Sequence, residues 1–260
     1  MSRAAPSILT AAQVAAYERD GYLVLPGLIS GEEAAALLQR LEDLILERLP
    51  RSPEIRLQVE PRLAEARLSG PALLSGLRKV ERLAIDDAVF RRLSRDERLL
   101  DVARDLLGPD LKLFRDALMM KPAGHGSAKP YHQDSAYWRI EPRELGSFWI
   151  ALDEAAPENG CMRVLPGSHR QGLVEHKRLA DFQVEEDKLD TSNEVSVPLQ
   201  PGDALFFHSM LLHATSPNRS KRPRRSMILS LMEAHSRWVG ASEAKPEFPL
   251  LCGREYTGCV

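Results

Sequence analysis

The 260-residue sequence predicts a mainly β domain fronted by helices, and three observations predict it. Apolar residues recur three and four positions apart before Gly108-Pro109, and fall in short strand-like runs after it. The later runs are separated by Pro, Gly and Asn turn signals with no helical pattern between them, as in a closed or double-sheet β architecture such as a jelly roll. Charge is balanced, 35 basic against 37 acidic side chains, with 43% hydrophobic residues, so one globular core accommodates the chain and disorder is disfavoured.

Taken in order, Thr10 with Gln13 forms a capping-box pattern ahead of Val14 and Tyr17, and Gly21 stops that helix. Tyr22 to Leu25 reads as a short strand closed by Pro26-Gly27. Ser30 with Glu33 opens a longer helix whose Leu37, Leu38, Leu41, Leu44, Ile45 and Leu49 define one buried face, and Pro50 is expected to end it. Residues 51–77 show no clear period. Helical spacing resumes from Asp87 to Leu107, interrupted near Asp96. Strand-like runs then cover Leu111 to Met120, Ser147 to Leu152, Met162 to Leu165, Val195 to Leu199, Ala204 to Phe207 and Ser226 to Met232. Asn159-Gly160 and Pro201-Gly202-Asp203 are the clearest turns. The expected organisation is a single domain over 1–260, with a helical outer layer over about 10–108, a jelly-roll core over about 109–235 and a C-terminal extension at 236–260.

Cys161, Cys252 and Cys259 are odd in number and far apart, which argues against a disulfide framework and fits a reducing compartment. No apolar run approaches the roughly 20 residues of a membrane span, and Met1 to Pro6 lead into a polar-studded helix rather than a signal-peptide core. A cytoplasmic protein without membrane or nucleic-acid partners is expected; oligomeric state is not encoded legibly. Arg219, Lys221, Arg222, Arg224 and Arg225 nonetheless form a local basic knot that needs its own explanation.

His132-Gln133-Asp134 carries the most chemistry. In extended chain, residues i and i+2 point to one side, so the imidazole and carboxylate converge while Gln133 faces away. A second histidine would complete the two-histidine, one-carboxylate facial triad that holds non-haem Fe(II) and leaves positions open for a co-substrate and O2. His213 is the candidate, because the turn Ser216-Pro217-Asn218 and the strand from Arg224 follow it; a hairpin there would set an arginine beside the histidine. Arginine's planar fork matches a carboxylate and suits one end of a dicarboxylate whose other end chelates iron. Arg225 is the alternative clamp if the register slips by one. His208, five residues before His213, would face the opposite side of one continuous strand. His125, His169, His176 and His235 read as surface or structural residues. Tyr137, Trp138, Trp238 and Met119 are candidates for the substrate mouth, with the core as the commoner place for buried aromatics and Met, and Arg139, Lys177 and Arg178 are placed to meet either an anionic substrate or simply water.

With His132-x-Asp134, His213 and Arg224 eleven residues later, the sequence resembles the phytanoyl-CoA dioxygenase family of Fe(II)- and 2-oxoglutarate-dependent oxygenases. Asp20-Gly21-Tyr22-Leu23-Val24-Leu25-Pro26-Gly27, Trp149-Ile150-Ala151-Leu152-Asp153, Glu158-Asn159-Gly160-Cys161 and Val164-Leu165-Pro166-Gly167-Ser168-His169 agree, and the likeness runs from about residue 12 to 235. The resemblance implies a double-stranded β-helix (jelly-roll, cupin-like) core with His132, Asp134 and His213 as catalytic iron ligands. It implies Arg224 on the distal carboxylate of 2-oxoglutarate, Thr215 and Trp149 beside it, and Lys79 near the co-substrate. The implied reaction consumes O2 and 2-oxoglutarate, releases succinate and CO2, and hydroxylates an aliphatic carbon of a small molecule. Related halogenases replace the carboxylate ligand by a small residue, and Asp134 retains it here. Two alternatives are a jelly-roll binding protein with a vestigial metal site, and a cupin-like metalloenzyme that does not use 2-oxoglutarate.

Overall fold

The computed structural model describes residues 8–179, 181–240 and 247–260, so the Met1 to Pro6 start lies outside the described residues. The front of the chain forms α1 (Ala11–Asp20), β1 (Tyr22–Leu25), α2 (Gly31–Ile45), β2 (Arg56–Val59), α3 (Gly70–Gly76), β3 (Leu77–Glu81), α4 (Leu83–Asp86), α5 (Ala88–Ser94) and α6 (Glu97–Leu106). The strands that follow are β4 (Leu111–Lys121), β5 (Lys129–His132), β6 (Ile140–Glu141), β7 (Gly146–Ala151) and β8 (Met162–Val164). The chain continues through β9 (Lys177–Arg178), β10 (Phe182–Gln183), β11 (Val195–Val197), β12 (Ala204–His208) and β13 (His213–Thr215). It closes with β14 (Arg224–Glu233), β15 (Arg237–Trp238) and β16 (Leu250–Cys252). No helix among the described residues is long and apolar enough to cross a membrane.

Local chemistry explains the helix boundaries. Thr10 with Gln13 and Ser30 with Glu33 form reciprocal capping boxes, and Asp96, where the helical period breaks, caps α6. Gly21 ends α1 with φ 81°, and a Cβ there would lie 2.4 Å from the His169 ring, so both conformation and space require glycine. α2 stops at Ile45 rather than near Pro50, because Glu47 turns into the left-handed region at φ 58°.

Two antiparallel sheets form a double-stranded β-helix, and β9 with β10 and β6 with β15 make two further two-stranded pairs. The larger has the order β1-β12-β7-β14-β4-β3-β2 with β16 also on β4, and the smaller has the order β11-β8-β13-β5. Alternation along each strand of the larger sheet divides its side chains between two faces. Phe148, Ile150, Phe206, Met227 and Leu229 join the apolar cluster that includes Leu37, Leu41 and Leu99 of the helices. Their neighbours Trp149, Leu205 and Phe207 pack instead with Met162, Val164 and Val197 of the smaller sheet. The central β7 is therefore buried at every position.

Two features differ from the sequence reading, and one open alternative is decided. β2 and β3 lie ahead of residue 108 yet extend the larger sheet, so the front layer is not purely helical. β16 lies beyond residue 235 yet pairs with β4. Trp138 and Trp238 belong to a separate apolar cluster with Phe248, and the Phe114 ring lies tilted 4.7 Å from that of Trp138, so these tryptophans are core rather than mouth.

Phe206 is fully buried, 4.7 Å from Phe148 and 5.5 Å from Tyr17 between ring centroids. Phe206→Ala should lower stability by about 3–5 kcal/mol in urea unfolding; a loss below about 1 kcal/mol would contradict this packing.

Candidate metal centre

A cavity of about 330 Å³ opens between the two sheets and receives His132, Asp134 and His213. One potential ligand atom from each lies within 4.8 Å of the others, the only such group of three or more among the described residues. The imidazole centroids of His132 and His213 are 4.2 Å apart, and His132 Nε2 is 3.7 Å from the Asp134 carboxylate. Antiparallel pairing sets His132 of β5 directly opposite His213 of β13. Asp134 follows at the start of a 3-10 turn, Asp134–Ala136.

Gln133 fixes this geometry. Its fully buried amide donates to the carbonyls of Gly172 and Met210 and accepts from Val174 N–H, which points it away from the cavity. Ser135 ties the turn to the segment before β13: its backbone N–H donates to Ser209 O and its hydroxyl to Ser209 Oγ. Both site histidines donate Nδ1–H to the carbonyl two residues earlier, His132 to Pro130 at 2.9 Å and His213 to Leu211 at 2.8 Å. Nε2 is thereby left with its lone pair toward the cavity, the tautomer a metal requires. Burial holds His213 neutral, at about 3. Burial opposes ionisation of Asp134, but the surrounding His132, His213 and Arg115 together outweigh it and keep the carboxyl well below its usual range. Two neutral imidazoles and a carboxylate with open space beside them fit Fe(II).

Arg224 lies on β14 of the larger sheet and His213 on β13 of the smaller, so the two face each other across the cavity rather than sharing a hairpin. Only long-range pairing decides this. Arg224 is 3% exposed, stacks 5.2 Å above the Trp149 ring and donates to Ser226 Oγ at 3.0 Å. Its Nε has no hydrogen-bond partner, and no carboxylate pairs with it among the described residues. Burial lowers it to about 10, so it remains a cation at neutral pH. A buried guanidinium with free donors is suited to an incoming carboxylate. Thr215 and Trp149 line the same cavity. Lys79 also lines it, on β3 opposite Met119, and pairs with Glu81 at 2.8 Å.

Alternation turns Arg225 to the opposite face, where it pairs with Asp153 and Glu42. Arg219, Lys221 and Arg222 of the basic knot are exposed. His208 and His213 do not share a strand: β12 ends at His208, and a turn intervenes. His208 packs 5.1 Å from His169, and His176 accepts from Gln133 N–H. Tyr137 and Met119 line the cavity as the sequence suggests. Lys177 pairs with Glu185 instead. Sequence reasoning missed Arg78, Arg115 and Lys129, the other cations of the cavity wall.

The family model of phytanoyl-CoA dioxygenase matches residues 17–226. The chain belongs to the phytanoyl-CoA dioxygenase family. A probable phytanoyl-CoA dioxygenase of Caenorhabditis elegans is 29% identical, with 85% of this chain and 74% of that protein covered. L-proline trans-4-hydroxylase of Streptomyces griseoviridis is likewise 29% identical, covering 94% of this chain and 92% of that one. Among solved structures, EctD from S. alaskensis with 2-oxoglutarate and 5-hydroxyectoine superposes with a TM-score of 0.76 at 27% identity, covering 99% of this chain and 88% of that one. This member of the phytanoyl-CoA dioxygenase family is a non-haem dioxygenase that uses Fe(II), 2-oxoglutarate and O2.

Nδ1 of His208 accepts from Met210 N–H, and burial lowers this histidine to about 4. The unfolded chain therefore binds the extra proton first, and stability should fall as pH drops from about 6.5 to about 4. His208→Gln should flatten that part of a pH series of urea unfolding curves; an unchanged slope would contradict the assignment.

Proposed function

We propose that His132, Asp134 and His213 hold the iron, and that Arg224 binds the distal carboxylate of 2-oxoglutarate with Thr215 and Trp149 forming the wall around it. The observation that carries the reading is the buried guanidinium without a carboxylate partner, facing two Nε2 atoms and a carboxylate across one cavity. Lys79 adds positive charge near the co-substrate, although its pairing with Glu81 makes it secondary to Arg224.

Bound there, Fe(II) and 2-oxoglutarate supply the O2-dependent oxidative decarboxylation that yields succinate and CO2. The chain's own contribution is placement. The backbone carbonyls of Pro130 and Leu211 fix both imidazoles in the ligating tautomer. Gln133 and Ser135 hold the Asp134 carboxylate beside them. Trp149, Phe207, Met162 and Ile228 wall the cavity with apolar surface that excludes water from the reacting carbon.

Hydroxylation of an aliphatic carbon of a small molecule is the outcome supported best, by the retained carboxylate at Asp134 and by relatives named as hydroxylases. A vestigial site, or a cupin-like enzyme without 2-oxoglutarate, leaves the unpaired Arg224 unexplained. The three free cysteines support a cytoplasmic setting, and the chain acts as one domain.

Anaerobic Fe(II) plus 2-oxoglutarate should give a weak visible charge-transfer band that disappears in His132→Ala and Asp134→Ala. No band in a folded wild type would refute the reading. Arg224→Ala should raise the 2-oxoglutarate requirement for succinate release about tenfold or more, whereas Arg225→Ala should leave it near wild type; the reverse ranking would assign the clamp to Arg225.

A further inference from the structure

Four cations besides Arg224 line the cavity, and three of them have acidic partners. Lys129 pairs with Asp181 at 2.6 Å, Arg78 approaches the same carboxylate at 3.8 Å, and Lys79 pairs with Glu81. Arg115 has no carboxylate within ion-pair distance among the described residues, and its guanidinium lies 6.0 Å from the Trp138 ring centroid. It is half-buried and faces the cavity beside Asp134, Tyr137 and Met119.

A backbone irregularity aims it there. On β4, Leu113 packs in the cluster under the helices, and simple alternation would put Arg115 on that same apolar face. The β4–β14 register shifts at this point: Leu231 opposes Leu113 while Ser230 opposes Arg115, leaving Phe114 as the extra residue. The bulge reverses the faces, so Arg115 turns inward and Leu118 and Met120 take over the apolar side. Arg115 and Arg224 then stand at opposite ends of the cavity. Arg224 pairs with Lys121, six residues along β4 from Arg115, about 20 Å of extended chain.

We infer that Arg115 binds an oxyanion of the substrate, a carboxylate or a phosphonate-type group, and so sets which end of the substrate lies away from the metal. This rests on the iron and 2-oxoglutarate reading above, in which Arg224 is taken by the co-substrate. A guanidinium presents paired donors to two oxygens, whereas a neutral amide or an amine offers no matching charge. The bulge positions this fork on a rigid strand, and the ion pairs of Lys129 and Lys79 leave those two cations less available.

The test uses the whole protein, loaded anaerobically with Fe(II) and saturating 2-oxoglutarate, with hexanoate, hexylphosphonate, hexanamide and hexylamine as probes. Paramagnetic broadening of the probe proton lines reports binding near the metal. Hexanoate or hexylphosphonate should broaden at concentrations about tenfold or more below those needed for hexanamide, with hexylamine weakest, and the stronger of the two anions identifies the oxyanion class. Arg115→Gln should abolish that preference while the charge-transfer band persists, and Arg115→Lys should retain part of it. A normal band with hexanoate and hexylphosphonate no better than hexanamide, or with the preference intact in Arg115→Gln, overturns this inference alone. Absence of the band overturns the iron reading and this one with it. If Arg115→Gln fails to fold, the wild-type comparison of charged and amide probes still decides.

Discussion

A buried positive charge without a protein counter-charge is the constraint on which this structure turns. Taking a guanidinium out of water costs several kcal/mol unless charge and hydrogen bonds replace the solvent. Arg224 receives one hydrogen bond acceptor, Ser226 Oγ, and the face of Trp149, which together leave most of its fork unused. The acidic residues that could neutralise it, Asp153 and Glu42, are engaged by Arg225 on the other side of the strand. Such a site is costly alone, and in the proposed reading the negative charge of 2-oxoglutarate would bridge from it to the metal site.

The stacked-sheet architecture makes that bridge possible. Neither sheet contains the whole site: the smaller one pairs His132 with His213, and the larger one contributes Arg224, Trp149 and Lys79. Side-chain alternation sends the apolar half of the large sheet to the helices and the functional half to the cavity. The helical layer therefore has a functional consequence although it supplies no ligand. By covering Phe148, Phe206 and Met227 it holds the large sheet in the register that turns Arg224 rather than Arg225 inward.

Features written in short stretches were legible in the sequence. The capping boxes at Thr10 and Ser30, the break at Asp96 and the strand runs depend on residues within a few positions of each other. His132-x-Asp134 was equally local, since the outward Gln133 follows from alternation. Pairing partners were not. A hairpin joining His213 to Arg224 is reasonable locally, yet β13 and β14 belong to different sheets, and only contacts with β5, β8, β4 and β7 separate them. His208 packs against His169, outside the site, but it is the turn at Ser209 to Leu212, held by distant partners such as Leu145 and Ser168, that separates it from His213 rather than the alternation of one continuous strand. Lys79 lies just past the stretch 51–77 that shows no clear period, and becomes a strand residue by pairing with β4. The bulge that turns Arg115 inward did leave a trace: core positions change parity from Leu111 and Leu113 to Leu118 and Met120.

The most direct test of the central claim is a crystal structure of the protein with Mn(II) and 2-oxoglutarate grown without O2. The account predicts the metal on Nε2 of His132 and His213 and on the Asp134 carboxylate, with the distal carboxylate of 2-oxoglutarate on Arg224. Metal held by other residues, or a co-substrate that leaves Arg224 unpaired, would contradict it.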